Sequence, residues 1–275
     1  MLTSDWMPIS CLRAVVRPHF FSTFAPAFSS PKRHLTKTFP ISLKPYSSTK
    51  MSATPPATQI IEHIVLFKVK DNTDSTKVNS MITSLNGLIS LDPVLHLTAG
   101  ALHRIRSSHF AFTHMLHSRY SSKENLNAYT VHPSHVGVVK ESVRPICDDI
   151  MAVDWVADDL QGPVAPPPGS PMRVTFLKLK DNQPAEAKDE IIGVIRGIKQ
   201  RIGGIDQITC GENFSPARAK GYSIASLAVF PGLSELDAVD SKEELVNSEK
   251  AKVRDSLESV LVLDYVVPSS GSSSL

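Results

Sequence analysis

Tyr129, His132, Pro133 and His135 fall inside one short stretch, Ala128 to Lys140, read AYTVHPSHVGVVK. A neutral imidazole beside a phenol is a general base beside a general acid, so Tyr129-x-x-His132-Pro133-x-His135 could move protons on a small substrate. The same residues have a plainer meaning. Proline suits the first turn of a helix, where the N–H it lacks would have had no partner. Pro133 therefore starts a helix and places His135 in its first turn. The positive end of the helix dipole disfavours an imidazolium there by about 0.3–1 kcal/mol, which keeps His135 neutral near pH 7, as a proton acceptor must be. His132 stands where a capping side chain belongs. Tyrosine at a helix end is commonly a partly buried anchor. Catalysis, contact with a small molecule, and packing alone are all open for His135 at this level.

The remaining polar chemistry is sparse. His96, His103, His109, His114 and His117 lie on or near predicted strands, and His114 and His117 fall on opposite faces of a regular strand, which is no metal pair. HExxH, CxxC, P-loop and Rossmann glycine patterns are absent, so no cofactor is required. Cys11, Cys147 and Cys210 are no disulfide framework and suit a reducing compartment.

The elements that must position these residues come in two sets. Residues 161–171, QGPVAPPPGSP, contain five prolines and two glycines and read as a semi-rigid linker. Sliding the chain by 110 residues brings its two sides into register. Phe67-Lys-Val-Lys-Asp-Asn72 meets Leu177-Lys-Leu-Lys-Asp-Asn182, and Met151-Ala-Val-Asp-Trp-Val156 meets Leu261-Val-Leu-Asp-Tyr-Val266. Thr98-Ala-Gly100 meets Thr209-Cys-Gly211 with one residue of slip. The pattern predicts a strand over 63–69 and 173–179, an amphipathic helix over 74–91 and 185–202, and a second strand near 94–101 and 206–212. A third strand is expected over 109–118 and 221–230. A capping box at Ser121-Ser-Lys-Glu124 opens a short helix to Tyr129, a further helix runs from Pro133 to about Asp148, and a last strand covers 150–156 and 260–266. The order β-α-β-β-α-α-β is ferredoxin-like. The expected fold is α+β, with two tandem domains whose antiparallel four-stranded sheets pack face to face into one α/β barrel. Domain 1 spans 59–158, the linker 159–171 and domain 2 172–267. Pairing within one chain and pairing between two chains are both compatible with this layout.

The repeat contains its own control. At the same offset Tyr129 becomes Val239, His132 becomes Lys242, Pro133 becomes Glu243, His135 becomes Leu245 and His63 becomes Arg173. A site built on these residues therefore belongs to domain 1, with Tyr129 turned toward the barrel interior and domain 2 as lid or partner.

Of 275 residues, 41% are hydrophobic and 20% charged, as in a globular protein. The net charge of +2 is uneven, because residues 1–50 hold seven Lys/Arg against Asp5 alone. The body is thus slightly acidic and has no basic stripe, which argues against a nucleic-acid partner. No apolar run reaches the length needed to span a membrane.

These features resemble the stress-responsive A/B barrel family, also called dimeric α+β barrel (Dabb) proteins. The resemblance is carried by Glu62–Asp71 (EHIVLFKVKD), by Tyr129-x-x-His132-Pro133-x-His135-Val136 and by the V-D-W strand. It covers both halves, more strongly the first. It implies a stress-response role without a defined reaction, that is, a non-enzymatic binding or protective one. The alternative comes from a family member that is a cofactor-independent polyketide cyclase. By that resemblance His135 would be the base, Tyr129 would orient it or the substrate, and His63 would match the strand-1 histidine. Some relatives hold a magnesium-like ion on backbone carbonyls, whose counterparts here are Leu88, Leu91 and Val94.

The two ends carry addresses rather than fold. Residues 1–58, rich in Ser, Thr and Arg/Lys, read as a transit-like extension, with Met51 a second possible start. Residues 268–275 are a tail ending Ser273-Ser274-Leu275, one change from a peroxisomal signal. The expected compartment is the peroxisome, with the plastid as alternative. The expected partners are the chain itself, a small hydrophobic ligand and a peroxisomal import receptor.

Overall fold

A computed structural model describes residues 58–106 and 110–269. The transit-like segment, Met51, His109 and Ser273-Ser274-Leu275 lie outside the described residues. The first repeat runs β1 (Thr58–Val69), α1 (Ser75–Gly87), β2 (His96–Ala101), β3 (Arg104–Ile105), β4 (His114–Tyr120), α2 (Lys123–Val131), α3 (Pro133–Val138) and β5 (Cys147–Leu160). The second runs β6 (Pro171–Leu179), α4 (Glu186–Arg196), α5 (Ile198–Ile202), β7 (Gln207–Glu212), β8 (Ile224–Val229), α6 (Leu233–Ser241), α7 (Glu243–Arg254) and β9 (Leu257–Val266). Both repeats turn out of their first strand through a left-handed asparagine, Asn72 at φ 61° and Asn182 at φ 62°, a conformation asparagine tolerates better than most residues.

Each repeat forms an antiparallel sheet, in the order β2-β4-β1-β5 and β3-β9-β6-β8-β7. The short β3 leaves its own repeat and pairs with β9, Arg104 opposite Asp264, so the second sheet gains a fifth strand from the first repeat. At the other seam Trp155 bridges Asn213, which brings β5 beside β7. The two sheets of one chain thus close a barrel. Gly211 is required at that seam, since a Cβ there would lie 2.7 Å from the Val156 carbonyl and 3.1 Å from Trp155.

Strand alternation assigns the faces. From β1, Ile64 and Leu66 point between the sheets, where Met115, Trp155, Phe176, Leu227, Leu263 and Tyr265 fill the interior. Ile61, Phe67 and Val69 point outward and pack under α1–α3 with Met81, Leu85, Tyr120 and Tyr129.

Several elements end elsewhere than the pattern predicts. The third strand starts at His114, because the Val69 N–H of β1 bonds the Thr113 hydroxyl at 3.1 Å rather than a backbone carbonyl. The helix from Pro133 is regular only to Val138, continues as a π turn over Val139–Val143 and stops well before Asp148. The linker is no free spacer. Arg119 donates to the Val164 carbonyl at 2.7 Å and Gln207 to the Gln161 carbonyl at 2.6 Å, which pins it across one end of the barrel.

Candidate functional site

The structure brings Tyr129, His135 and His63 together, but not in the barrel interior. His63 is an odd-numbered residue of β1 and shares the outward face with Phe67, so the three meet in the layer between the first sheet and α2–α3. Tyr129 stacks obliquely on His135, ring centres 4.5 Å apart, and meets Tyr120 at 5.3 Å and His63 at 6.3 Å. Tyr129 and Tyr120 are fully buried, and burial first raises both phenol pKa values above their ordinary range. His132 caps α3 by accepting from the Ser134 N–H at 3.2 Å, as expected of a structural residue.

His135 is half-buried, and burial, more than the dipole of so short a helix, holds its pKa below the ordinary value. Its Nδ1–H donates to the Thr130 carbonyl at 2.9 Å, which leaves Nε2 as the acceptor. His63 is held by a residue the sequence reading passed over. Asp154, directly opposite it on β5, accepts its Nδ1–H in a short buried bond. Burial alone would raise the Asp154 pKa, but His63 outweighs it and keeps the carboxyl below its usual range. Carboxylate, imidazole, phenols and a second imidazole, the types that serve as general acids and bases, thus lie in one cluster, with Tyr129 meeting both histidines by ring contact.

The second repeat treats the same layer differently. Arg173 and Asp264 replace His63 and Asp154 and bond at 2.8 Å. Asp264 is fully buried and also receives Arg104 and Arg106 from β3, while Arg173 pairs with Asp240 at 2.8 Å. The other substitutions remove volume: Phe67 becomes Leu177, Leu116 becomes Ser226, Tyr120 becomes Phe230 and Tyr129 becomes Val239. The first layer is one continuous apolar cluster. The second is divided into two. Between them lies a cavity of about 550 Å³, bounded by β6, β8 and β9 below and by α4–α7 above. Leu177, Ile195, Ile208, Phe230, Val239 and Val253 give it apolar walls, and Arg173 and Asp240 close one side. Volumes of about 300–1,000 Å³ with mostly apolar walls are typical of small-molecule sites.

The stress-responsive A/B barrel domain model matches residues 61–157 and again 172–267. This chain belongs to the stress-responsive A/B barrel family. It is 63% identical over 228 residues to one stress-response A/B barrel domain-containing protein of Arabidopsis thaliana, covering 83% of this chain and 86% of that one. To a second Arabidopsis thaliana protein of the same description it is 52% identical over 213 residues, covering 77% and 98%. Among solved structures, an anthrone oxidase-like protein superposes with TM-score 0.57 at 10% identity, covering 77% of this chain and 92% of that one, which is a likeness of fold. Among the described residues no helix is long and apolar enough to cross a membrane.

Within this family frame, a buried ionic cluster was missed by sequence reasoning. Glu62, His117 and Arg119 sit between the sheets, all fully buried. Arg119 Nη2 donates to Glu62 at 2.8 Å, His117 Nε2–H donates to it at 2.7 Å, and the Thr209 hydroxyl of the other repeat at 2.9 Å. Arg119 also donates to Gln207 at 2.6 Å, tying the two sheets and the linker together. Neighbouring His96 is pushed down to about 3, by burial first and then by His117 and Arg119. The legible signal was a glutamate at the head of an otherwise apolar strand, in EHIVLF, with arginine and histidine alternating on β4. Asp154 had a signal too, since the Asp in V-D-W and in L-D-Y is shared by both repeats.

The remaining positions named from the sequence are unlike sites for chemistry. Burial pushes the Cys147 and Cys210 thiols up to about 11, so neither is a ready nucleophile. At Leu88, Leu91 and Val94, the Leu88 carbonyl accepts from Leu91 N–H at 3.1 Å and the Leu91 carbonyl from Val94 N–H at 2.9 Å. Each keeps one lone pair, and these two with the Val94 carbonyl are the groups that would hold a hard cation such as Mg²⁺.

Proposed function

We propose that this stress-response A/B barrel protein is a non-enzymatic binding protein that holds a small hydrophobic molecule in its second repeat. The reading is carried by the contrast between two equivalent layers: aromatic rings fill the first, and a cavity of about 550 Å³ occupies the second. The test is titration with the neutral dye Nile red, whose fluorescence rises in apolar surroundings. The wild-type protein is expected to saturate. Ser226→Phe, which fills the cavity floor, is expected to weaken binding at least about tenfold, the equivalent of some tens of Å² of lost apolar contact. His135→Ala in the first repeat is expected to leave it unchanged. Unaltered binding in Ser226→Phe together with loss in His135→Ala would move the site to the first repeat and end this reading.

A second reading is supported by the Asp154–His63 pair beside Tyr129 and His135: cofactor-independent cyclase or lyase chemistry on a polyketide-like or aromatic molecule. In it Asp154 orients His63, His63 or His135 takes a proton, and Tyr129 donates one. Turnover of a linear poly-β-ketone would then fall about 10²–10⁴-fold in His63→Gln, in line with loss of a general base. Absence of turnover in the wild-type protein excludes this reading for that substrate class.

A further inference from the structure

We propose that the cavity of the second repeat selects an amphipathic monocarboxylate, an apolar body ending in one carboxylate. This rests on the reading of the second repeat as the ligand site and adds the chemistry of the head group. Inside the cavity the charges are already matched. Arg173 is held by Asp240 and Asp264, each at 2.8 Å, and Arg106 is bound to Asp240 as well. An ionic head at that side would have to break a formed pair. The side bounded by α7 is different. Val246, Lys250, Val253 and Arg254 border the cavity at three- and four-residue spacing, so they share one helix face. The two valines are half-buried, and the two cations are exposed. Neither Lys250 nor Arg254 has an ion-pair or hydrogen-bond partner among the described residues. The two acids bordering this side, Glu258 and Glu249, are already engaged, Glu258 by Lys178 at 2.7 Å and Glu249 by Arg201 at 2.7 Å and Lys252 at 2.6 Å. Two cations without counter-charge at the edge of an apolar chamber fit a carboxylate whose hydrocarbon body lies inside. A neutral apolar molecule would use the walls and leave the cations idle.

Displacement of bound Nile red by dodecanoic acid and by dodecan-1-ol separates head group from body. Dodecanoate is expected to displace the dye at about tenfold lower concentration than the alcohol, a gap that narrows with added salt. The Lys250→Ser/Arg254→Ser double variant changes exposed positions only and is expected to keep its thermal midpoint. In it the two competitors should become equal while the alcohol binds as before. Equal displacement in the wild-type protein, or an undiminished preference for dodecanoate in the double variant, overturns the head-group assignment and leaves the ligand site standing. Failure of both compounds to displace the dye overturns the ligand site itself.

Discussion

Glu62→Ala is expected to destabilise the folded protein by about 3–5 kcal/mol, measured by urea unfolding, because it strands a buried arginine. Glu62 is fully buried and accepts from Arg119, His117 and Thr209 at 2.7 to 3.1 Å. Without it, the Arg119 guanidinium keeps only Gln207 and linker carbonyls as partners, at the edge of a mainly apolar interior and beside the buried His117. The Glu62→Leu/Arg119→Met double variant removes both charges and should cost clearly less than the two single changes added together. A double variant as unstable as that sum would show that the pair is not coupled. The same cluster predicts acid sensitivity. Burial by itself would raise the Glu62 pKa, but Arg119 and His117 outweigh it and hold the carboxyl far below its usual range. A depressed carboxylate stabilises the fold above its unfolded pKa, and that share is lost as pH falls toward the folded value. Stability should therefore decline below about pH 4.5, and Glu62→Gln should flatten the decline.

Asp264→Ala is the second large loss, about 2–4 kcal/mol, since Arg104, Arg106 and Arg173 converge on this one fully buried carboxylate. The figure lies below that for Glu62 because Arg104 and Arg106 remain about one-third exposed, at 32% and 35%, and water screens them. Asp264 also anchors β3 to β9, with Arg104 opposite it in the register. Amide hydrogen exchange over 104–106 should accelerate along with the loss of stability, as the strand exchanged between the repeats comes loose. Exchange there that stays slow would show that the backbone ladder holds β3 without the ion pairs. The equivalent aspartate of the first repeat, Asp154, bonds His63 and is paired with no residue of β3, so its removal disturbs no exchanged strand.

These two carboxylates show where sequence reasoning stops. Tyr129 and His135 could be grouped from spacing because helix starts are local, and His63 joined them only through the family resemblance. The expectation that Tyr129 turns toward the barrel interior was wrong, and the reason is specific. Alternation along β1 separates His63 from Glu62, but which face meets the other sheet depends on how the two repeats close, and that is settled by Trp155 against Gly211 and by β3 crossing to β9. The third strand and the helix from Pro133 were misbounded for the same kind of cause, a bond from the Val69 N–H to the Thr113 side chain and a π turn after Val138. The cavity was invisible because it consists of volume removed at Leu177, Ser226 and Val239, which no single motif records.

The sequence by itself determined the duplication, the order of elements in each copy, the antiparallel α+β class and the asymmetry that leaves histidine and tyrosine in one copy alone. Those follow from periodicity and from comparing residues 110 positions apart, both of which are local along the chain. Only the tertiary structure decided that Glu62 meets Thr209 across 147 residues, that Asp154 faces His63 across 91, and that the second layer is hollow. Contacts of that span depend on sheet closure and side-chain packing, energies shared among many distant residues and therefore carried by none of them in sequence order.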